Sequence, residues 1–199
     1  MPGVLENAGL FFRNQIIRQN MAIIREDDIK KETLLDLAKK MLVAARTAPK
    51  ARGMDNLAMA ILTDGELQRL CKATKEIGDR EQNDIFLRDA MNVLNSADVV
   101  VLIGSRIKVL SLKVCGLCGF ADCATKGKHP SIPCTFNTTD LGIAVGSAVS
   151  LAADHRVDSR IMYTIGMAAL EMNILGDEYK IIYGIPLSAT SKSPFFDRK

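Results

Sequence analysis

The chain has 199 residues, of which 48% are hydrophobic and six are proline, enough for one domain of ordinary size with a substantial core. Its 26 basic and 23 acidic residues are interspersed and leave a net charge of +3, with three tyrosines and no tryptophan, so neither a basic surface nor a stacking platform for nucleic acid is predicted. No apolar stretch reaches the ~20 residues that span a bilayer, and we expect a cytoplasmic protein without a membrane partner.

The first 20 residues are predicted to be an extension that precedes a single domain of residues 21–199. Phe11, Phe12, Ile16 and Ile17 would form one apolar face of a short helix in this extension. Two interpretations stay open. The helix docks on a partner subunit, or the extension is a partly ordered appendage.

A helical period is clear in residues 29–48. Apolar residues recur at one-turn spacing while charged residues take the other face. The apolar positions are Leu34, Leu35, Ala38, Met41, Leu42 and Ala45. We expect this helix to end before Pro49.

A basic loop follows the first helix, with Arg46, Lys50 and Arg52 in or beside it. Guanidinium and ammonium groups commonly bind phosphate, so these three side chains are candidates for holding the phosphate of a flavin or nucleotide. A solvated basic loop is the alternative. The next seven residues, Leu57–Thr63, form a short apolar run that predicts a buried strand.

Two helices and a second strand are predicted next. Asp64 is a candidate N-cap for a helix closed by Gly78, and Cys71 within it is expected to pack as a small hydrophobe. Another helix covers residues 83–95. Residues 97–104 (ADVVVLIG) form a continuous β-branched run, typical of a central strand that is buried on both faces.

Four of the five cysteines lie in residues 113–137, here called the cysteine segment, in the pattern C-x2-C-x4-C-x10-C. They are Cys115, Cys118, Cys123 and Cys134. Thiolates are soft ligands that suit zinc or an iron–sulfur cluster, and two disulfides are the third alternative. Structural zinc usually shows two C-x2-C pairs, whereas here a single pair, a third cysteine nearby and a fourth further along favour a cluster.

Other charged and titratable residues accompany the cysteines. His129 lies between the third and fourth cysteine and is either a replacement ligand, a hydrogen-bond donor to the cluster, or a solvated loop histidine. Lys113, Lys126 and Lys128 either raise the reduction potential of a bound cluster or are ordinary solubilising residues.

A long helix is predicted after Cys134, capped by Thr138 or Thr139. It carries an apolar stripe with small residues interspersed. The stripe consists of Leu141, Ala144, Val145, Ala148, Val149 and Ala152. It is predicted either to pack in the core of one subunit or to form the seam of a homodimer.

The last third of the chain alternates between strands and helices. We predict a strand at residues 160–165, a helix at 167–175 that ends at Gly176, and a strand at 179–185. The polar tail contains Phe195 and Phe196, which suggests that it embraces a neighbouring subunit.

Two resemblances bear on the cysteine segment. The run CGLCGFADC followed by PC resembles the four-cysteine iron–sulfur motif of corrinoid iron–sulfur proteins, with a shorter gap before the last cysteine. Nearly everything from Met21 onward resembles a family of uncharacterised prokaryotic proteins described as containing a ferredoxin domain. The segments that carry this resemblance are Ala44–Leu57, Phe86–Gly104, the cysteine run, Phe136–Val149 and Tyr183–Arg198.

The order of helix, loop and strand at residues 29–63 resembles the first part of the flavin-dependent nitroreductases, and Asp140–Ala144 resembles the start of their central helix. This resemblance implies an α+β fold, a nitroreductase-like layered α/β/α sandwich, with the cysteine loop inserted at one edge. It also implies a homodimer and FMN. The serine, asparagine and glutamine of the nitroreductase flavin loop and the N-terminal arginine–serine phosphate motif are not reproduced here.

The function predicted from the sequence is one-electron transfer by a [4Fe–4S] cluster bound to Cys115, Cys118, Cys123 and Cys134. The cluster would exchange electrons with a partner protein or a small molecule, and FMN bound in the manner of the nitroreductases would be a second cofactor. One alternative is a zinc-stabilised, non-catalytic homodimer that presents an interaction surface. The other is an FMN-dependent oxidoreductase in which the cysteine loop is structural.

Overall fold

The computed structural model describes residues 23–196. The chain divides into two compact units, Met1–Lys31 and Glu32–Lys199. The described residues of the first unit contain the beginning of helix α1 (Glu26–Thr47), whose first turn carries three acidic residues. Negative charge is favourable at this end of a helix dipole. The helix predicted within residues 1–20 lies outside the described residues.

The elements after α1 alternate between helices and strands. In chain order they are β1 (Leu57–Thr63), α2 (Asp64–Arg80), α3 (Asp84–Ser96), β2 (Val99–Arg106), α4 (Cys123–Gly127), α5 (Thr135–Asp154), β3 (Asp158–Ser159), α6 (Tyr163–Glu171) and β4 (Tyr179–Ser188), with 3₁₀ turns at Ala51–Gly53 and Pro194–Phe196.

The four strands form one antiparallel sheet in the order β1-β2-β4-β3. Leu102 of β2 lies opposite Ala60 of β1 and Gly184 of β4. The residues from Val99 to Ser105 are all buried, which confirms the prediction of a central strand covered on both faces. The observed strand begins and ends two residues later than predicted.

Each face of the sheet carries its own hydrophobic core, because successive side chains of a strand point to opposite faces. Val99, Val101 and Ile103 pack with α1 and α5. Val100 and Leu102 pack with α2, α3 and α6. The protein therefore has the expected α+β fold, a sheet between two helical layers.

Helix α1 matches the predicted period with one change of register. Leu34, Ala38, Met41 and Ala45 are buried as expected, and Leu37 is buried as well. Leu35 and Leu42, which were predicted to be core residues, are only partly buried. The helix ends at Thr47, two residues before Pro49, as the clash of a proline ring with a preceding helical residue requires.

The predicted ends of α2 are wrong. Asp64 is the first helical residue rather than the N-cap, and the N-cap Thr63 makes no side-chain capping bond. Gly78 does not end the helix, which continues to Arg80. A Cβ at Gly78 would lie 2.7 Å from Cδ2 of Leu87, so this glycine allows the close packing of α2 against the first turn of α3.

The strand predicted at residues 160–165 is also wrong. Helix α6 begins at Tyr163, and only Met162 joins the sheet, through two hydrogen bonds to Gly184 of 2.8 and 3.0 Å. A Cβ at Gly166 would overlap the carbonyl of Ile182. The helix therefore lies directly on β4, and a β-rich sequence folds as a helix because tertiary packing overrides local preference.

One aromatic residue of the tail packs within its own chain. Phe195 is fully buried in the core that contains α2, α3 and α6. Its carbonyl accepts a hydrogen bond of 2.6 Å from Arg160, whose guanidinium lies 5.2 Å from the ring centroid of Phe196. Phe195 is therefore part of the core of its own chain, and contact of the tail with a neighbouring subunit stays a prediction.

Candidate functional site

Most of the cysteine segment lies in the connection between β2 and α5, residues 107–134, and its last three residues form the first turn of α5. The short helix α4 is the regular element of this connection. Asp122 caps it by accepting a hydrogen bond of 2.6 Å from the N–H of Thr125. This bond lowers the pKa of the Asp122 carboxyl, because it favours the charged form.

One buried side chain joins the two ends of this connection. Asn137 is 3% exposed. Its Oδ1 accepts from the N–H of Lys108 at 3.1 Å and from the N–H of Cys134 at 3.0 Å, and its Nδ2 donates to the carbonyl of Lys108 at 3.0 Å. The chain therefore enters and leaves the connection at a single amide group, which closes it as a loop with fixed ends.

Helix α5 begins earlier than predicted because of this arrangement. Its N-cap is Cys134, and Asn137 is the third helical residue, whose side chain satisfies the N–H of the cap. Thr138 and Thr139, the predicted caps, lie inside the helix, and Thr138 donates to the carbonyl of Thr135. The sequence signal for this start is a polar residue three positions after the Pro133–Cys134 pair.

The thiols of the five cysteines are free. Cys134 is buried at the start of α5, whereas Cys115, Cys118 and Cys123 are half-buried on the loop. Cys71 is buried among the side chains of α2 and α3, as predicted, and burial raises the pKa of its thiol to about 11.

The donor chemistry of the cysteine segment suits a soft metal or a cluster, since it provides four free thiols. Among residues 23–196, however, no three His, Cys, Asp or Glu side chains come together closely enough to hold a metal ion. The assignment of the four cysteines as ligands therefore rests on residue type and spacing and stays a prediction.

The three lysines of the segment differ in exposure. Lys113 and Lys128 are exposed, whereas Lys126 of α4 is 1% exposed. Its ammonium makes one long hydrogen bond of 3.4 Å, to the carbonyl of His129. The interpretation of Lys126 as a solubilising residue is therefore wrong, because the fold places a cation inside the loop that carries the thiols. Nothing in the sequence distinguishes it from its neighbours.

The imidazole of His129 stacks on the ring of Phe120, with centroids 5.0 Å apart and planes at 24°. The residue is exposed, and its N–H and carbonyl both bond to Lys126. Phe120 and Lys126 come from before and within α4, so His129 holds this part of the loop together.

The three basic residues proposed for a phosphate all have partners within the chain. Arg46 pairs with Asp55, Lys50 donates to the carbonyls of Ala45 and Arg46 at 2.6 Å each, and Arg52 donates to the carbonyl of Leu110 at 3.0 Å. Burial lowers the pKa of the Lys50 ammonium. These contacts stabilise the end of α1 and the loop after it, and phosphate binding by the three stays a prediction.

Asp140 fixes the same loop from the other side. Both oxygens of its buried carboxylate accept from the N–H of Ala51, at 3.1 and 3.2 Å. The neighbouring Arg52 adopts a left-handed backbone conformation with φ of 58°, and its side chain donates to the carbonyls of Leu110 and Ser111, just before the cysteine segment. The sequence marks Asp140 as the start of a central helix and does not reveal this contact.

The apolar stripe of α5 faces the core of its own chain. All of its members are buried except Val149, which is partly buried. The outer face of the helix carries Gly142, Ile143 and Gly146, and the two glycines have open space around them. The core alternative therefore holds for the stripe, and a homodimer stays a prediction that needs this outer face.

Across residues 23–196, no helix combines the length and apolar character that crossing a membrane requires. This agrees with the absence of a long apolar run in the sequence.

Comparison with known families gives one match near the C-terminus. Residues 131–198 match the model of a family described as uncharacterised proteins containing a ferredoxin domain. Of the four clustered cysteines, this matched stretch contains Cys134. An uncharacterised protein of the archaeon Archaeoglobus fulgidus is 36% identical over 183 residues, which are 88% of this chain and 97% of the archaeal one.

Comparison with solved structures identifies the fold. A nitroreductase with bound FMN from Desulfitobacterium hafniense DCB-2 has a TM-score of 0.54 at 12% identity, covering 79% of this chain and 78% of that one. A nitroreductase family protein from Clostridium novyi NT has a TM-score of 0.53 at 18% identity, covering 89% and 79%. At such identities the likeness shows the fold, which is that of the nitroreductases.

Proposed function

The chain belongs to the family of uncharacterised proteins that contain a ferredoxin domain, and from that premise we propose that it is an iron–sulfur redox protein on a nitroreductase-like scaffold. The proposed ligands of a [4Fe–4S] cluster are Cys115, Cys118, Cys123 and Cys134. The observation that carries the proposal is the presence of four free thiols in one loop whose ends are fixed on the core.

The chemistry of the donor set supports a cluster. Four thiolates are the usual ligands of a [4Fe–4S] centre, and the spacing provides three on one stretch of loop and one at the start of α5. A bound cluster supplies a site that gains and loses one electron at a time. The half-exposed positions of the first three cysteines leave them accessible for assembly and for exchange of electrons with a redox partner.

The residues around the thiols have distinct roles in this proposal. Asn137 holds Cys134 against the core, so the fourth ligand stays fixed while the rest of the loop rearranges to gather the other three. The cation of Lys126 lies inside the same loop. Positive charge near a cluster stabilises its reduced, more negative state, so Lys126 is expected to raise the reduction potential.

The experiment that tests this function is metal analysis after strictly anaerobic purification. We expect about four iron and about four acid-labile sulfide per chain, with a brown chromophore. The variant Cys123→Ala should lose most of this iron. The matched variant Cys71→Ala removes a thiol outside the segment and should keep it.

Other outcomes of the same analysis would overturn the proposal. Stoichiometric zinc without iron would favour the zinc-stabilised homodimer. Iron that is retained by Cys123→Ala and lost by Cys71→Ala would exclude the assigned ligands. Anaerobic conditions are essential because thiolates and exposed clusters are oxidised in air.

FMN is a second cofactor in the proposal, and the support for it is the nitroreductase-like fold. Its phosphate would need Arg46, Lys50 or Arg52 to exchange a present contact with Asp55, Ala45 or Leu110 for the ligand. Fluorescence of cofactor released by heat decides this point. If none is released and titration with FMN shows no binding, the flavin part of the proposal is wrong while the cluster part is unaffected.

A further inference from the structure

An open cleft borders the cysteine segment without including any of its thiols. It has a volume of about 650 Å³ and lies between the end of β2, the start of β4 and the loop before Cys134. This volume is in the range of roughly 300–1,000 Å³ in which proteins bind small molecules. The cleft also excludes Arg46, Lys50 and Arg52, so neither the proposed cluster nor the proposed flavin accounts for it.

The charged groups of the cleft are mostly positive. Arg106, Lys108 and Lys180 line it, and Glu178 is the acidic member. Ser131, two isoleucines and two prolines complete the lining, the last four being Ile107, Ile181, Pro130 and Pro133. A site of this composition favours a ligand with an anionic group on an apolar body.

The guanidinium of Arg106 lies near two neighbouring side chains but keeps N–H groups available for a ligand. Its Nη1 lies 3.6 Å from the carboxylate of Glu178, longer than a hydrogen bond, and its centre lies 5.6 Å from the ring centroid of Tyr179. Its Nε is buried and has no hydrogen-bond partner among the described residues. An arginine side chain offers five N–H donors, so Arg106 can bind an oxyanion through two parallel hydrogen bonds.

A register shift in the backbone sets the direction of the Arg106 side chain. The pairing of β2 with β4 shifts between Ser105 and Arg106, so Arg106 lies opposite Tyr179 while Ser105 lies opposite Ile181. Such bulges redirect a side chain. On its other side, the N–H of Arg106 bonds to the carbonyl of Asn56 at 3.1 Å, which continues the pairing with β1 by one residue.

The second cation is also on fixed backbone. Both backbone groups of Lys108 bond to the buried amide of Asn137. Two residues before it, Arg106 is fixed by the bulge. The points from which these two side chains reach the cleft are therefore fixed, and a fixed backbone lowers the entropic cost of binding an anion there.

We propose that this cleft binds a small organic anion, in which a carboxylate or phosphate group is held by Arg106 with Lys108 and Lys180, and an apolar body lies against Ile107, Ile181 and the prolines. The proposal does not rest on the redox function, because it uses none of the cysteines. Carboxylates and phosphates share the required oxyanion, and the experiment below separates them.

The test is calorimetric titration of the full chain, as purified, with phenyl phosphate and with benzoate, each of which has an oxyanion on an apolar ring. Saturable binding of one or both is expected, and their relative affinity tells which oxyanion the cleft prefers. Benzyl alcohol, which lacks the charge, should bind at least about tenfold more weakly, since a charge-assisted bidentate contact is lost.

A matched pair of variants locates the site. Arg106→Gln should weaken binding by about tenfold or more. Arg69→Gln makes the same change of charge on an exposed side chain of α2 whose ion pair is with Glu66, and it should leave the affinity within about twofold. If Arg106→Gln does not fold, as judged by its thermal melting, Lys180→Gln replaces it, because the Lys180 side chain is exposed.

Several results would overturn the proposal. One is the absence of saturable binding by either probe. Another is an equal loss of affinity in Arg69→Gln and in the cleft variant, which would indicate a general effect of net charge. Binding of poly-glutamate but of neither small anion would make the cleft part of a surface for an acidic protein instead.

Discussion

Asn137 holds Lys108 by both backbone groups, accepting its N–H at 3.1 Å and donating to its carbonyl at 3.0 Å. Asn137 lies in the first turn of α5, at the end of the cysteine segment, and Lys108 lies in the stretch that precedes the segment. A third hydrogen bond comes from the N–H of Cys134. This one buried amide therefore joins the two ends of the loop.

Asn137→Ala is therefore expected to destabilise the fold by roughly 2–4 kcal/mol, because it leaves buried backbone groups without partners. Chemical denaturation measures the loss, and hydrogen exchange should become faster at Lys108 and Cys134. Asn95→Ala, at an exposed position of α3, should change stability by less than about 0.5 kcal/mol. Equal effects of the two substitutions would contradict the closing role of Asn137.

Gly166→Ala tests the close packing of α6 against β4. The added methyl group would overlap the backbone carbonyl of Ile182, and backbone of a central strand cannot move aside as a side chain can. We expect a loss of about 2–4 kcal/mol. Gly65→Ala meets nothing within 4 Å and should be neutral or stabilise by up to about 1 kcal/mol. A Gly166→Ala protein that melts like the wild type would show that the helix lies further from the strand.

Cys71 should be the slowest thiol to react on the metal-free protein. Burial raises its pKa to about 11, so at pH 8 hardly any thiolate is present, and the thiolate is the reactive form. Mass spectrometry after brief treatment with iodoacetamide should find Cys115, Cys118 and Cys123 modified first. Early modification of Cys71 would mean that α2 and α3 separate readily.

The same thiol makes stability depend on pH in the alkaline range. Its pKa is raised from 9.0 in the unfolded chain to about 11 in the fold, so the unfolded chain loses the proton first. The stability that the fold gains from keeping this thiol protonated is fully present below pH 9 and is lost as the pH rises toward 11. Denaturation curves across this range should show a shallower fall in stability for Cys71→Ala than for the wild type.

Lys126→Met tests the buried cation of the loop. The ammonium has one hydrogen bond of 3.4 Å, and burying a poorly paired charge is costly, so metal-free Lys126→Met should be at least as stable as the wild type. The reduction potential of the anaerobically prepared protein should fall, because a positive charge near the cluster is lost. Lys128→Met, at an exposed position, should leave both quantities nearly unchanged. An unaltered potential in Lys126→Met would separate this lysine from the redox centre.

The outer face of α5 is the proposed surface of a homodimer. Ile143 is 42% exposed there, between two glycines that leave room for another chain. Ile143→Glu should shift the protein from dimer to monomer in light scattering after gel filtration. Ile85→Glu alters an equally exposed isoleucine, 43% exposed on α3, and should not. A wild-type protein that is monomeric at all concentrations would exclude this proposal.

Patterns within one element predicted the fold well. The strand Leu57–Thr63 has the predicted bounds, because six apolar residues and a threonine between a basic loop and a charged helix admit few alternatives. The burial of Val99–Ile103 on both faces follows in the same way from an uninterrupted apolar run that is rich in β-branched residues. Both predictions needed only residues close in the sequence.

Features that depend on distant partners could not be predicted. The strand expected at residues 160–165 became a helix because Met162 and Gly166 meet β4, which follows nearly 20 residues later in the chain. The burial of Lys126 arises from folding of the whole loop over it. The capping role of Asn137 could partly be predicted, because a polar residue at the third position of a helix commonly caps it. Its contact with Lys108 could not be predicted.

Because Asn137 joins the two ends of the β2–α5 connection, the residues of that connection can be replaced by another sequence. A loop whose two ends are already fastened adds only about 0.6 kcal/mol of closure entropy for each doubling of its length. Among the described residues, neither of the two hydrophobic cores contains a residue between Lys108 and Cys134. Relatives can therefore lengthen, shorten or replace the intervening residues, and an engineer can graft a different metal-binding sequence at the same two points, while the scaffold stays intact.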